Sequence, residues 1–409
     1  MRQPPSTSAA TSGRRTIHRR HHLLAVVHHP LHRVASGLAH VPAGLLRQVD
    51  RAGPLESPWL AVGLGALVPA TVALIALSHH WRGRHPGPPR HRWLRRGGLG
   101  AWLVLLAALA GLAGLNAYVG YVPTLPSLFG DLPIGIGHDA RGAGSQVVSL
   151  EIGAPSLRVP PSRCYVYLPP GYGSRAQRRR RYPVVYLLHG YPGGPIDWFR
   201  GAQVQETMDA MLADGLVQPM ILVAPDASGG WLHDSEMLNQ VGGPQVESYL
   251  VGTVVHAVDR RFRTVAERAG RAIGGVSSGG YGALNLGLRH QDVFSVILSL
   301  MPYGTPGAVT RTLLGGSRAL WLANSPAAYI PTMTFRHPMT VELMAGDHDP
   351  EVKVAARLAR MLHARGQYAV FNEVQGAGHT WRGARVEAPY VLAFASGHLA
   401  GWRTMRGMT

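Results

Sequence analysis

Two long apolar stretches without a charged residue constrain this chain more than any other feature. They run from Trp59 to Leu77 and from Leu99 to Val119, and each would form a helix roughly 30 Å long. A bilayer's hydrocarbon core has about that thickness, and neither stretch carries the polar stripe typical of a soluble helix. We therefore predict two transmembrane helices, 59–77 and 99–119, with the lipid bilayer as a partner.

The arginines around these stretches predict their orientation. Six arginines separate the two stretches, only Arg47 and Arg51 closely precede the first, and none follows the second until Arg141. Basic residues near span ends favour the cytoplasm, which predicts a cytoplasmic linker and a multi-pass protein of the cell membrane whose C-terminal domain is extracytoplasmic. More distant arginines near the N-terminus favour the opposite orientation: Arg14, Arg15, Arg19 and Arg20.

The positive charge is concentrated near the N-terminus. Residues 1–97 carry +12 of the formal net charge of +18, so no basic stripe is left for a folded domain, and we expect no nucleic-acid partner. Residues 1–57 are also rich in histidine, but no spacing defines a coordination geometry, so we expect a mobile arm and no metal site. Residues 120–145 mix Gly and Pro as a linker does, and residues 401–409 form a short tail.

A single cysteine, Cys164, excludes an intrachain disulfide and a cysteine-based zinc site. It lies in the strand-like run Cys164 to Leu168, where we expect it to be a packed core thiol.

From Gln146 onward, short apolar runs alternate with helical stretches. Runs without polar alternation are typical of parallel strands buried on both faces, and their alternation with helices predicts a doubly wound, mostly parallel α/β sheet. The expected strands are Val147–Ile152, Cys164–Leu168, Pro183–Leu188, Pro219–Ala224, Arg271–Val276, Val293–Leu300, Met339–Ala345 and Tyr368–Val374. The expected helices are Ala202–Ala213, Val246–Arg261, Gly280–Arg289, Glu351–Arg365 and Val386–Leu399.

One strand leads directly into a G-x-S-x-G motif centred on Ser277. A tight turn from strand to helix exposes the central hydroxyl, and it requires small residues two positions before and after, here Gly275 and Gly279. We expect Ser277 to be a nucleophile and the backbone N–H of Ser278 to be an oxyanion donor. A second donor is expected from the loop after Leu188, where the N–H of Tyr191 is the candidate because Pro192 has none.

A carboxylate and a histidine follow Ser277 along the chain, in the order expected of a nucleophilic serine with its acid and base. Asp349 comes after one late strand, and His379 follows a Gly-rich turn after the last strand. His379 would take the proton of Ser277, and the carboxylate would orient the imidazole ring. Asp347 and Glu351 remain alternative acids, and His348 is the rival base, although its adjacency to the acid is sterically awkward.

Together these segments resemble the esterase D group of α/β-hydrolases, which includes S-formylglutathione hydrolases, enterochelin and feruloyl esterases, and secreted mycolyltransferases. The matching segments are Tyr186–Gly190, Gly274–Leu284, the Gly-x-x-Asp ending at Asp349, and Gly378–Arg382. The central motif, usually G-x-S-M-G-G, has Ser278 in place of Met. The resemblance covers roughly residues 146–400. It implies an α/β-hydrolase fold, a Ser277–His379–Asp349 triad, and an oxyanion hole formed by Tyr191 and Ser278. The preceding spans are similar to those of membrane-anchored esterase-like proteins of actinobacteria.

The expected function is therefore that of a membrane-anchored serine esterase that hydrolyses carboxylic esters through an acyl-enzyme, without a cofactor. Two alternatives stay open: an acyltransferase acting on envelope glycolipids or lipids, and a catalytically silent membrane-bound binding module. The expected partners are the bilayer and a small-molecule or lipid ester.

Overall fold

The computed structural model describes residues 26–27, 41–82, 92–125, 127, 144–230, 233–307 and 310–401. Most of the predicted arm and linker, the centre of the basic segment between the two apolar stretches, and nearly all of the predicted tail lie outside the described residues.

Among the described residues, nine strands form one sheet. Its order is β1-β9-β8-β7-β6-β4-β5-β3-β2, and the six strands from β9 to β5 are parallel, as the apolar runs predict. Antiparallel strands extend both edges. The strands are β1 Val26–Val27, β2 Gln146–Ala154, β3 Val159–Leu168, β4 Val184–Leu188, β5 Ile221–Ala224, β6 Arg271–Val276, β7 Val296–Leu300, β8 Thr340–Gly346 and β9 Tyr368–Val374.

Helices cover both faces of the sheet. Successive residues of a strand point to opposite sides, so each strand contributes side chains to both core layers. Val185 and Leu187 face one core layer, whereas Tyr186 and Leu188 face the other. The helices are α1 Ala43–Val49, α2 Pro58–Arg82, α3 Arg92–Val119, α4 Asp197–Arg200, α5 Val204–Ala213, α6 Val246–Ser248, α7 Val255–Arg261, α8 Ser278–Arg289, α9 Thr310–Leu313, α10 Arg318–Ala323, α11 Pro326–Tyr329, α12 Val352–Ala364 and α13 Trp381–His398.

Most predicted elements occur near their expected positions, with instructive differences. The helix predicted at Val246–Arg261 contains a wider π-helical segment, Tyr249–Val254, between α6 and α7. The last helix begins at Trp381 rather than Val386, because the Thr380 hydroxyl accepts a hydrogen bond from the Gly383 N–H and caps it. Cys164 is fully buried in β3, as predicted, and this burial raises the pKa of its thiol.

The two apolar stretches form long helices that pack against each other. Pro58–Leu77 of α2 and Gly98–Val119 of α3 are long and apolar enough to cross a membrane, by length and composition. Large apolar side chains such as Trp59, Leu74 and Leu112 are exposed on them. An exposed apolar surface of this kind is typical of a region that contacts a membrane or another protein.

The segment before α2 packs against the domain, which corrects the prediction of a mobile arm for residues 41–57. Leu45 and Val49 of α1 are buried in the same core layer as the C-terminal helix. Glu56 is 3% exposed and binds the fully buried Arg385 of α13 through both carboxylate oxygens, at 3.0 and 2.5 Å. An unpaired buried charge is costly, so this pair holds the segment in place.

The chain leaving α3 is also attached to the domain. Arg385 donates a hydrogen bond to the Gly120 carbonyl at 2.5 Å, and the Tyr121 hydroxyl donates to Asp197. Asn116, near the end of α3, bonds the backbone of Leu55 and Val122. The start of the predicted linker is therefore fixed on the domain. The beginning of α2 and the end of α3 both lie at the domain surface around Arg385.

Candidate active site

The nucleophile turn connects β6 to α8. Ser277 has φ 58° and ψ −118°, a strained conformation for a residue with a side chain. A Cβ atom on Gly275 would overlap the Gly279 carbonyl, and one on Gly279 would overlap the Leu188 carbonyl. The two glycines thus permit the tight turn that the G-x-S-x-G spacing predicts, and the Ser277 N–H is bound to the Leu300 carbonyl at 3.0 Å.

The structure brings the three predicted side chains into one hydrogen-bonded chain. His379 Nε2 lies 2.8 Å from Ser277 Oγ, and its Nδ1 lies 3.0 Å from Asp349 Oδ2. With Nδ1 protonated, the ring donates to the carboxylate and accepts the serine proton. The Asp349 side chain is fully buried and that of His379 is 32% exposed, so the acid is shielded from water and the base is open to a substrate.

The alternative acids and the rival base lie elsewhere. Asp347 accepts a hydrogen bond from the Gly376 N–H at 2.7 Å. His348 is 72% exposed and approaches Asp347 at 3.8 Å. Glu351 precedes α12, and its N–H donates to Asp349 Oδ1 at 2.7 Å. Asp349 thus has two roles, since one oxygen organises the start of α12 and the other contacts the histidine.

The predicted oxyanion loop lies against the nucleophile turn. A Cβ atom on Gly190 would lie 3.3 Å from the Val276 carbonyl oxygen and 3.5 Å from Ser277 Cβ, so this loop passes close to the nucleophile turn. Tyr191 and Ser277 line the same cavity, of about 130 Å³. Ser278 begins α8, whose N-terminal dipole favours negative charge at this point. The two residues predicted to supply the oxyanion donors therefore both lie next to the nucleophile turn.

The buried side chains of His189 and Asp197 form hydrogen bonds with the backbone of this loop. His189 is 2% exposed; its Nε2 accepts from the Ala227 N–H at 3.0 Å, which leaves Nδ1 to donate to the Gly190 carbonyl at 2.9 Å. Asp197 is also 2% exposed, accepts from the Gly194 N–H at 2.7 Å, and receives the Tyr121 hydroxyl. Burial raises the pKa of Asp197, although the bond from Tyr121 opposes this effect.

Two further buried carboxyl groups belong to β8 and α13, the elements next to Asp349 and His379. Burial raises the pKa of Glu342 in β8 to about 8, although a hydrogen bond from Asn372 lowers it in part. Burial also raises the pKa of Glu387 in α13, and the charges of Asp349 and Glu342 add to that shift. Both groups therefore favour the protonated, uncharged form near neutral pH.

Sequence reasoning missed the residues at the beginning of α2 and the end of α3 that contact the domain and the site. Val119, the last residue of α3, lines the cavity beside Ser277, and Tyr121 reaches the oxyanion loop through Asp197. Nothing in the local sequence marks either residue. Glu56 did carry a signal, because it is one of two acidic residues among the first 97 and immediately precedes an apolar stretch.

Comparisons with known proteins show the family and the fold. The family described as "Putative esterase" matches residues 161–400, more than half of the chain. Two curated relatives match over shorter stretches. An endo-1,4-beta-xylanase/feruloyl esterase of Xylanibacter ruminicola is 31% identical over 132 residues, 32% of this chain and 18% of its own length. An esterase of Mycobacterium tuberculosis is 33% identical over 130 residues, 32% of this chain and 26% of its own. The matches thus span less than a third of either relative.

A solved ferulic acid esterase shares the fold. It superposes with a TM-score of 0.56 at 22% identity, over 63% of this chain and 100% of the other. The predicted α/β-hydrolase fold is confirmed, and the chain belongs to the esterase family.

Proposed function

We propose that the protein is a membrane-anchored serine esterase that hydrolyses carboxylic esters. The observation that carries the proposal is the continuous chain from Ser277 Oγ through His379 to the buried Asp349, with contacts of 2.8 and 3.0 Å. A hydroxyl joined to an imidazole that is oriented by a carboxylate is the arrangement needed to activate serine.

The reaction proceeds in two acyl-transfer steps. Ser277 Oγ attacks the ester carbonyl as His379 Nε2 takes its proton, and the N–H groups of Tyr191 and Ser278 stabilise the resulting oxyanion. Collapse of this intermediate breaks the bond to the alcohol, which leaves with the proton from His379. Water then repeats the sequence on the acyl-enzyme, releasing the acid and restoring Ser277.

The activity is tested on the full chain in detergent micelles with p-nitrophenyl butyrate. Ser277→Ala should lower kcat by at least ~10³-fold and abolish labelling by a fluorophosphonate probe. Ser174→Ala, which removes an exposed hydroxyl in another loop, should keep both properties. Equal activity of the Ser277→Ala and wild-type proteins would refute the assignment. A folded wild-type protein that neither labels nor turns over would instead favour a binding module.

Hydrolysis is separated from acyl transfer by following the product. With a lipid alcohol or trehalose added, an esterase releases free acid at an unchanged rate. Formation of a new ester at the expense of free acid would support the acyltransferase alternative.

We further propose that α2 and α3 cross the membrane and that the catalytic domain is extracytoplasmic. The arginine-rich connection favours the cytoplasm. The residues before α2 and after α3 contact one domain through Glu56 and Gly120, as two antiparallel spans require. The apolar exposed faces of both helices fit the hydrocarbon core.

Cysteine labelling in intact cells tests this orientation, because the native Cys164 is buried. Ser174→Cys should react with a membrane-impermeant maleimide. Gly87→Cys, between the two helices in sequence, should react only after lysis. The reverse pattern would overturn the orientation.

A further inference from the structure

The cavity beside Ser277 has one wall supplied by the helix pair. Val119 lines it together with Gly190 and Tyr191, and Met301 and Trp381 add further apolar surface. A substrate acyl group bound at Ser277 would therefore contact the last residue of α3.

A second cavity lies next to the first along the same helix. It measures about 410 Å³ and is lined by Ala117 and Tyr118, while Thr380 contributes to both cavities. Consecutive residues of one helix end thus border the open space on both sides of the loop that carries His379.

This helix end is fixed in position. Gly120, directly after Val119, is bonded to the buried Arg385, and Tyr121 is bonded to Asp197. A Cβ atom on Gly120, which has φ +68°, would also meet Arg382 at 2.6 Å. Val119 is consequently a constant part of the cavity wall.

The exposed apolar surface of α3 begins about one helical turn from this cavity. Leu115 and Leu112 are 60% and 63% exposed on α3, and four residues of helix span only about 6 Å. If α3 crosses the bilayer, the cavity beside Ser277 lies at the boundary between lipid and water.

We propose that the substrate is an ester lipid of the bilayer itself, whose acyl chain stays along α3 while its ester group reaches Ser277. This inference rests on the proposed membrane-anchored esterase function. A water-soluble ester would not require a cavity wall made from the membrane helix. An amphiphilic ester already dissolved in the bilayer reaches Ser277 from α3 with its chain still in an apolar environment.

The test uses the full chain reconstituted in phosphatidylcholine vesicles that contain a fluorogenic long-chain diacylglycerol ester. Release should require enzyme and ester lipid in the same vesicle, and it should be lost when they are supplied in separate vesicles. Val119→Trp fills the cavity and should lower turnover of the lipid about tenfold or more, with a smaller loss for p-nitrophenyl acetate. Leu74→Trp, an exposed position on α2 outside both cavities, should leave the lipid activity unchanged.

The outcomes separate the two proposals. Absence of Ser277-dependent turnover of p-nitrophenyl acetate defeats the esterase function itself. Turnover of that ester without turnover of the lipid in the same vesicle overturns only the inference. Equal rates for lipid in the same and in separate vesicles also overturn it, and this comparison needs no variant. Fluorophosphonate labelling confirms that Val119→Trp is folded.

Discussion

Two buried carboxylates each bind a basic side chain of the C-terminal segment. The two basic side chains, His379 and Arg385, are only six residues apart in sequence. Asp349 binds His379, and Glu56 binds Arg385. The Arg385 pair is closed on both sides, whereas the histidine leaves one face open beside Ser277. The same interaction therefore serves two purposes: a pair with an accessible partner orients a reacting group, and a fully enclosed pair fixes the helix pair to the domain.

The largest effect is expected from Asp349→Asn. The amide cannot hold His379 in the required tautomer, so kcat should fall about 10⁴-fold while the protein stays folded. Steady-state kinetics with p-nitrophenyl butyrate measure the loss. Asp347→Asn is the matched control and should retain activity within about threefold. An equal loss in the control would move the acid to Asp347 and remove the comparison.

Arg385→Met should act on stability rather than chemistry. It leaves Glu56 buried without its partner, which costs about 3–5 kcal/mol of unfolding free energy. Urea denaturation of the full chain in micelles measures this. The control is Arg382→Met, since Arg382 is 45% exposed in its pair with Asp50, and such a pair contributes at most ~1 kcal/mol. Equal stability of the two variants would show that the Glu56–Arg385 pair does not fix the helix pair to the domain.

The stability of the domain should decline as pH rises from about 5 to 7. The pKa of Glu342 is raised from 4.5 to about 8 by burial, so in this window the folded state keeps a proton that the unfolded chain loses. The slope is at most about 1.4 kcal/mol per pH unit for one such group. Glu342→Gln should flatten the curve, whereas the exposed Glu151→Gln should not. Parallel curves for wild type and Glu342→Gln would contradict the assigned pKa.

The smallest effect is expected from Tyr121→Phe, which tests how far the two regions are coupled. It removes the hydrogen bond to Asp197, worth about 1 kcal/mol, and it leaves the Gly194 N–H bonded to that carboxylate. We expect kcat for p-nitrophenyl butyrate to fall about fivefold with KM unchanged. Tyr368→Phe is the control and should change neither kcat nor KM, because Tyr368 begins β9 and His379 follows the other end of that strand. A rise in KM with unchanged kcat would instead show that Tyr121 contributes to substrate binding and not to the position of the oxyanion loop.

Much of the fold and site follows from local patterns. Apolar runs predicted the parallel strands, and the glycines around Ser277 predicted the strained turn, because both depend on residues close in sequence. The order of Ser277, Asp349 and His379 nominated the triad, yet it left Asp347 and Glu351 open. Only the sheet geometry separates these acids, since the turn after β8 directs one neighbour toward His379 and another toward Gly376.

The sequence by itself determined a doubly wound α/β domain, a serine at a strand-to-helix turn, and two helices long and apolar enough to cross a membrane. Only the tertiary structure decided that Glu56 pairs with Arg385, 329 residues away, and that Val119 borders the cavity at Ser277. The reason is physical: periodicity and turn chemistry act over a few neighbouring residues, whereas a buried ion pair or a cavity wall depends on the packing of distant segments.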